Sequence, residues 1–367
     1  MAKQVYCACF IRPLLTVTDK PIMTMRIFLA PMEGVVDPTV RHLLTAIGGI
    51  DICVTEFVRV TDHTLPDKVF NRYCPELAYN SRTAANTPVR IQLLGGKAEP
   101  MAANGQKAAQ LGASAIDINF GCPAKTVNKN DGGACLLQSP NRLYDIVSAV
   151  RKAVPEHTPV TAKMRLGFAA RGGYLDRAQA IYEAGANELV VHARSKVDGY
   201  KPPAYWETIG DIREQLPIPV IANGEIWSID DFQRCKAASG CEDIMLGRGL
   251  MACPDLGLQI KAQRETLAYQ PLGWPAICAL LLHYFLATEA QYPKKYLGNR
   301  LKQWLVYLRR HYPQAQSLFD TLKRHRDRST IINTLKQHTN LAAVAQMEQT
   351  LTLTPAMSRY SDHSLSA

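Results

Sequence analysis

The sequence predicts a (βα)8 barrel with an all-α appendage, and three observations predict it. Eight short runs of β-branched or apolar residues recur between residues 25 and 265, each followed by a helix-like stretch. The polar residues and glycines gather at the carboxyl ends of those runs. Beyond Gln270 the alternation stops, and helical candidates follow with no strand between them. A doubly wound open sheet also alternates, but it usually stops near about six strands.

In chain order the predicted strands are residues 26–30, 51–57, 89–94, 115–119, 160–166, 188–193, 219–222 and 243–246. Segments of helical period lie between most of them, at 141–154, 177–186, 206–216 and 230–238. The connection from Val58 to Pro88 is too long for a plain crossover and is expected to carry extra loops. Four helices are predicted after the barrel, at 274–290, 294–311, 313–325 and 330–345. In the second of these, Leu297, Leu301, Trp304, Leu305 and Leu308 form one stripe. Tyr296, Arg300, Gln303, Tyr307 and Arg310 fall on a neighbouring face that mixes aromatic rings with cations. Pro293 and Pro313 mark helix starts or linkers. The domains expected are therefore an extension at 1–24, a barrel at 25–265, a basic four-helix module at 266–345 and a disordered tail at 346–367.

Composition narrows the class. The 367 residues are 47% hydrophobic and 20% charged, enough for one large domain plus a small one. No run of 18 apolar residues exists, so no membrane-spanning helix is expected. The apolar start is interrupted at Arg12, which argues against a signal peptide. Ten cysteines form no Cys-x-x-Cys pair and no zinc pattern; a metal is not expected, and scattered thiols suit the cytoplasm. Residues 266–345 hold eleven Lys/Arg against three Asp/Glu, a net of +8, leaving 31 against 29 elsewhere. A basic module on a near-neutral body points to a polyanionic partner. Its mixed aromatic and cationic face suits stacked bases and phosphates.

The most informative segment is Asp-Ile-Asn-Phe-Gly-Cys-Pro, residues 117–123. Gly121 and Pro123 break a strand-like run and place Asn119 and Cys122 on a turn at its mouth. A thiol there is expected to be exposed. With a free pKa near ~8.5 it is mostly protonated at neutral pH, able to donate a proton as well as attack. The other polar residues sit at the same end: Met32, Glu33, Glu56, Arg59, Gln92, Lys163, Arg165, His192 and Arg194. Asn223-Gly224-Glu225 and Gly247-Arg248-Gly249 follow the last two strands. In this fold those two loops commonly bind phosphate; the glycines admit close backbone approach and Arg248 adds charge.

These motifs in this order resemble the tRNA-dihydrouridine synthases, from Met25 to the region of Ala345. The match is carried by Ala30-Pro31-Met32-Glu33-Gly34, Thr55-Glu56-Phe57, Gln92-Leu93, Asn119-Phe120-Gly121-Cys122-Pro123, Lys163-Met164-Arg165, His192-Ala193-Arg194, Asn223-Gly224 and Gly247-Arg248-Gly249. Arg59, Tyr200, Arg300, Lys302 and Tyr307 resemble the bacterial C-type subgroup, whose members reduce the uridine at position 16 of the tRNA D-loop. The resemblance implies FMN as cofactor and NADPH or NADH as reductant. Pro31, Met32, Glu33, Gln92, Lys163 and His192 would surround the flavin ring, and Asn223, Gly224, Glu225, Gly247 and Arg248 its ribityl chain and phosphate. Cys122 would be the acid that completes reduction of the uracil C5=C6 bond, with Asn119 and Arg165 on the base. Arg59, Tyr200, Arg300, Lys302, Tyr307 and Lys323 would contact tRNA, and the chain is expected to act as a monomer. Residues 1–24 have no counterpart in the family, as if Met23 or Met25 were the true start.

Three other readings stay open at this level. A flavin barrel acting on a free dihydropyrimidine would leave the basic helices unused. An aldolase with Lys163 as its Schiff-base lysine would leave Cys122 idle. An RNA-folding aid with a relic barrel would need none of Cys122, Lys163, His192 and Arg248.

Overall fold

A computed structural model describes residues 25–352. The expected extension, 1–24, and residues 353–367 of the expected tail lie outside the described residues. The strands are β1 Ile27–Leu29, β2 Ile52–Arg59, β3 Val89–Leu94, β4 Ile116–Phe120, β5 Val160–Gly167, β6 Glu188–Ser195, β7 Val220–Asn223 and β8 Ile244–Leu246. Every neighbouring pair is parallel, and β1 pairs with both β2 and β8, so the barrel closes and no strand edge is left.

Alternation along each strand sorts the side chains. One set packs outward against the surrounding helices, Pro38–Ile47, Ala98–Gln110, Pro140–Ala153, Tyr174–Glu183, Trp206–Gln215 and Ile229–Ser239 among them. A smaller set, Phe28, Ala30, Ile52, Val54, Val190, Ile221 and Met245, forms a separate apolar cluster inside the barrel. Charges close its amino end. Arg26 and Arg90 lie over the Phe28 ring, each 5.2 Å from its centroid, and both pair with Glu188 at 2.6 and 2.5 Å. The amino end is sealed, so any chemistry belongs at the carboxyl rim.

The long β2–β3 connection carries a helix, Asp67–Tyr73, and a 3-10 turn, Pro75–Tyr79. It is pinned by a fully buried pair, Arg41 with Glu76 at 2.9 Å. After the barrel come helices Trp274–Thr288, Asn299–Leu308, Gln314–Leu322, Arg328–Gln337 and Leu341–Thr352. The predicted fourth helix, 330–345, is thus two helices, broken where Asn340 Oδ1 caps the Ala343 N–H at 2.7 Å. The last helix also takes in residues 346–352 of the expected disordered tail. Ala343 and Met347, four residues apart, are buried and pack it toward Trp274–Thr288. So sparse a stripe in a polar stretch left no visible period.

Leu301, Trp304, Leu305 and Leu308 of the predicted stripe are buried, whereas Leu297 lies before the helix Asn299–Leu308 begins and is half-buried. Trp304 joins the two regions: its Nε1 donates to the Met251 carbonyl at 3.0 Å, and its ring meets Tyr284 edge-on at 4.9 Å. Trp304→Ala is expected to cost ~3–5 kcal/mol, the range for emptying a large aromatic site. Urea unfolding measures this; a loss within a few tenths of a kcal/mol would mean that the helices dock without it.

Candidate active site

At the carboxyl rim a cleft of about 480 Å³ gathers every predicted site residue except Arg59, Arg300, Lys302 and Lys323. Asn119 and Cys122 stand at the end of β4. The Asn119 side-chain oxygen accepts from the Gly121 and Cys122 N–H groups, both at 2.9 Å, and so caps the turn. From the other side, Arg165 Nε donates to the Gly121 carbonyl at 2.9 Å. The Cys122 carbonyl in turn accepts from Ala134 N and Asn128 Nδ2. The turn is held on every side.

Cys122 is only 9% exposed, which corrects the expectation of an exposed thiol. It lines the cleft from within, packed with Phe57, Leu94 and Val127. Burial pushes the thiol up, so it stays protonated at neutral pH. Asn119 and Arg165 are held within the wall of the cleft. Their hydrogen bonds to protein fix them there: Asn119 Nδ2 to Gln92 Oε1, and Arg165 Nη1 to the Ser195 and Gly199 carbonyls.

Lys163 rises from β5 into the floor. Its Nζ donates to Asn223 Oδ1 at 2.9 Å, and Asn223 Nδ2 donates to the Met245 carbonyl, which fixes that amide's direction. Burial, aided by the Arg165 charge, lowers the Lys163 ammonium to about 7. His192 is held well below its ordinary value by burial and by the cations Arg165 and Lys163, so it is neutral. Its Nε2 is buried in the cleft wall without a hydrogen-bond partner. A Cβ on Gly224 would come within 2.8 Å of the His192 ring, and one on Gly247 within 3.1 Å of Met32 Sδ. Gly224 also adopts φ +116°, which favours glycine.

Across the rim, Glu225 pairs with Arg194 at 2.6 Å and Arg248 at 3.4 Å. The Arg248 guanidinium lies between two rings, 4.8 Å from Tyr200 and 4.7 Å from Trp227. Arg310, reaching over from the helices, covers Trp227 at 3.8 Å. Trp227 is absent from the residues that the sequence singles out; its place two residues after Glu225, on the loop after β7, was the available signal. Among the described residues no group of three or more His, Cys, Asp or Glu side chains is placed to hold a metal ion.

Three expected tRNA-binding residues are engaged elsewhere. Arg300 pairs with Asp37 at 2.6 Å and donates to the Gly34 and Val35 carbonyls, tying the helices to the loop after β1. Lys302 is buried, its Nζ donating to the His325 carbonyl at 2.6 Å. Lys323 is half-exposed and pairs with Asp320 at 2.8 Å. Helical spacing alone does not reveal the partner that engages each cation. Arg59 is exposed at the end of β2, outside the cleft wall.

A closed barrel whose rim holds a protonated thiol, a buried lysine and an imidazole with Nε2 unpartnered around a cofactor-sized cleft defines a (βα)8-barrel enzyme. The chain belongs to the dihydrouridine synthase family, whose model matches residues 28–345. It is 53% identical over 303 residues to a tRNA-dihydrouridine(16) synthase of Pseudomonas putida, covering 83% of this chain and 94% of that protein. It is 47% identical over 300 residues to the Escherichia coli protein of that name, covering 82% and 94%. Among solved structures, a 2-naphthoyl-CoA reductase complex is 13% identical with a TM-score of 0.50, covering 66% of this chain and 50% of that one. That likeness concerns the fold alone. Family membership makes the chain an oxidoreductase and sets aside the aldolase and folding-aid readings.

Lys163 carries a pH test. Its folded value of about 7 lies below the ordinary 10.5, so between those limits the unfolded chain holds a proton that the folded one lacks. Stability of the cofactor-free protein should therefore rise with pH across that window, with the cost of Lys163 fully present below pH ~7. Lys163→Met should remove this slope, gaining most on wild type at low pH and least near pH 10. Denaturant titrations at several pH values measure it; parallel curves for the two proteins would show that Lys163 does not titrate in the window.

Proposed function

We propose that the chain reduces the C5=C6 bond of a D-loop uridine in tRNA, with FMN as cofactor and NADPH or NADH as reductant, in the cytoplasm. Position 16 is the choice supported by the names of the relatives. The observation that carries the reading is a protonated thiol, capped by Asn119, in the wall of a cleft floored by Lys163 and His192. The unpartnered His192 Nε2 and the Gly224 backbone, where a Cβ would strike the His192 ring, fit a flat polar ring lying close to the backbone. Pro31, Met32, Glu33, Gln92, Lys163 and His192 would hold the flavin ring, and Asn223, Gly224, Glu225, Gly247 and Arg248 the ribityl phosphate. When bound, FMN supplies the hydride chemistry that no side chain offers.

The side chains do the rest. Lys163, half-protonated near neutrality, gains its proton where negative charge gathers and stabilises it. Burial keeps the Cys122 proton on Sγ until a carbanion-like C5 comes within reach, which is general acid catalysis. Neutral His192 adds no second positive charge beside Lys163. A base must leave its stack to reach this depth, and Tyr200 at the rim offers it an exposed ring.

Among the described residues Lys294, Lys295, Arg310, Arg324 and Arg326 are exposed without a carboxylate partner, and these replace Arg300 and Lys302 as the cations that face phosphate. Arg310 carries that surface to the rim through Trp227.

Cys122→Ala should keep bound flavin and its reduction by NADPH, yet lose ~10²–10⁴-fold in single-turnover dihydrouridine formation. Turnover equal to wild type would take the acid role from Cys122. Replacing Lys294, Arg324 and Arg326 with Ala should lower the log–log salt dependence of tRNA affinity by about 0.7–0.9 for each phosphate that is no longer neutralised. An unchanged slope would place the tRNA elsewhere. Arg300→Ala should instead destabilise the fold, as thermal melting will show.

A further inference from the structure

Beneath the Cys122 turn lies a row of polar side chains, two of which, Asp117 and Thr161, have no part in the chemistry above. Parallel register sets Gln92 of β3, Asp117 of β4 and Thr161 of β5 side by side in the barrel interior, all buried. Asp117 Oδ2 accepts from Gln92 Nε2 at 2.7 Å, and Oδ1 accepts from the Thr161 hydroxyl at 2.6 Å. On its other side, Gln92 Oε1 accepts from Asn119 Nδ2 at 2.7 Å. The chain of bonds ends where Asn119 Oδ1 takes the N–H groups of Gly121 and Cys122.

The direction of this chain is constrained at both ends, because the N–H groups of the turn only donate and Asp117 only accepts. A carboxylate only accepts, whereas an amide has a donor end and an acceptor end. Asp117 therefore admits only the NH2 end of Gln92, which turns the Gln92 oxygen toward Asn119. Asn119 must then give its NH2 to Gln92 and keep its oxygen for the turn. Reversing either amide would face acceptor with acceptor or donor with donor in a buried site, the costly arrangement. Thr161 holds the second carboxylate oxygen and so fixes the plane of Asp117.

We propose that Asp117 is a positioning residue: as the buried acceptor at the far end it anchors Gln92, and through Gln92 and Asn119 the hydrogen-bond chain that holds the Cys122 turn. Its effect on turnover rests on the reading of Cys122 as the acid; its effect on the turn does not.

The test follows iodoacetamide alkylation of Cys122 by peptide mass spectrometry, in flavin-loaded and cofactor-free full-length protein, alongside turnover. Buried Cys53 and Cys278 report general loosening. Asp117→Leu removes the acceptor; Cys122 alkylation should rise about tenfold, and kcat fall about as much with the tRNA KM within about twofold, while Cys53 and Cys278 stay protected. Asp117→Asn is the rescue: its oxygen accepts from Gln92 and its NH2 faces Thr161, whose hydroxyl accepts as well as donates, so alkylation should stay within about threefold of wild type. Thr161→Val frees only the carboxylate plane and should raise Cys122 alkylation about threefold. Wild-type alkylation in Asp117→Leu, or an equal rise at Cys53 and Cys278, overturns the proposal. If Asp117→Leu does not fold, wild-type alkylation in Thr161→Val overturns it. Faster alkylation with unchanged turnover would keep the positioning role and remove Cys122 as the acid.

Discussion

Polar side chains buried inside a closed parallel barrel must find partners within the protein, and the whole site follows from how they are paired. Closure sends all eight carboxyl ends to one rim, and the Arg26, Arg90 and Glu188 plug seals the other. Between them each buried donor needs an acceptor. Lys163 finds Asn223, which finds the Met245 carbonyl; Asn119 finds Gln92 and the turn; Arg165 finds three carbonyls. His192 Nε2 is an exception, and it lies in the cleft wall.

The same burial tunes the chemistry. It pushes the Cys122 thiol up and brings the Lys163 ammonium to about 7, both changes favouring the neutral form. A neutral thiol is a proton donor, and a lysine near neutrality responds to charge arriving beside it. One desolvated layer thus prepares both groups, and the cations Arg165 and Lys163 help to hold His192 neutral.

The helices after the barrel complete the rim. Trp304 reaches the Met251 carbonyl just after β8, Arg300 grips the loop after β1, and Arg310 covers Trp227 on the loop after β7. Tyr307, between them in sequence, lines the cleft itself. The positive surface and the reactive thiol are therefore joined by side chains, although the charge excess belongs to one segment and Cys122 to another.

Much was legible in the sequence because it was local. Alternating apolar runs marked all eight strands, most ends falling within a residue or two of those observed, since strand side chains repeat every second residue and breakers follow them. The carboxyl rim followed from chain direction, so Cys122, Lys163, His192 and Arg248 could be placed there by position, while the roles expected of them came from the family resemblance. Partners are not local. Arg300 meets Asp37 across 263 residues, Arg165 meets Gly121 across 44, and Asp117 lies between Gln92 and Thr161 only because the strands pair in that register. Burial of Cys122 depends on Phe57 and Leu94 from other strands. The sequence by itself determined which residues stand at the rim, because period and chain direction are written along the chain. Only the tertiary structure decided which of them are free, which are neutral and which way each amide points, because these depend on neighbours that closure of the barrel brings together.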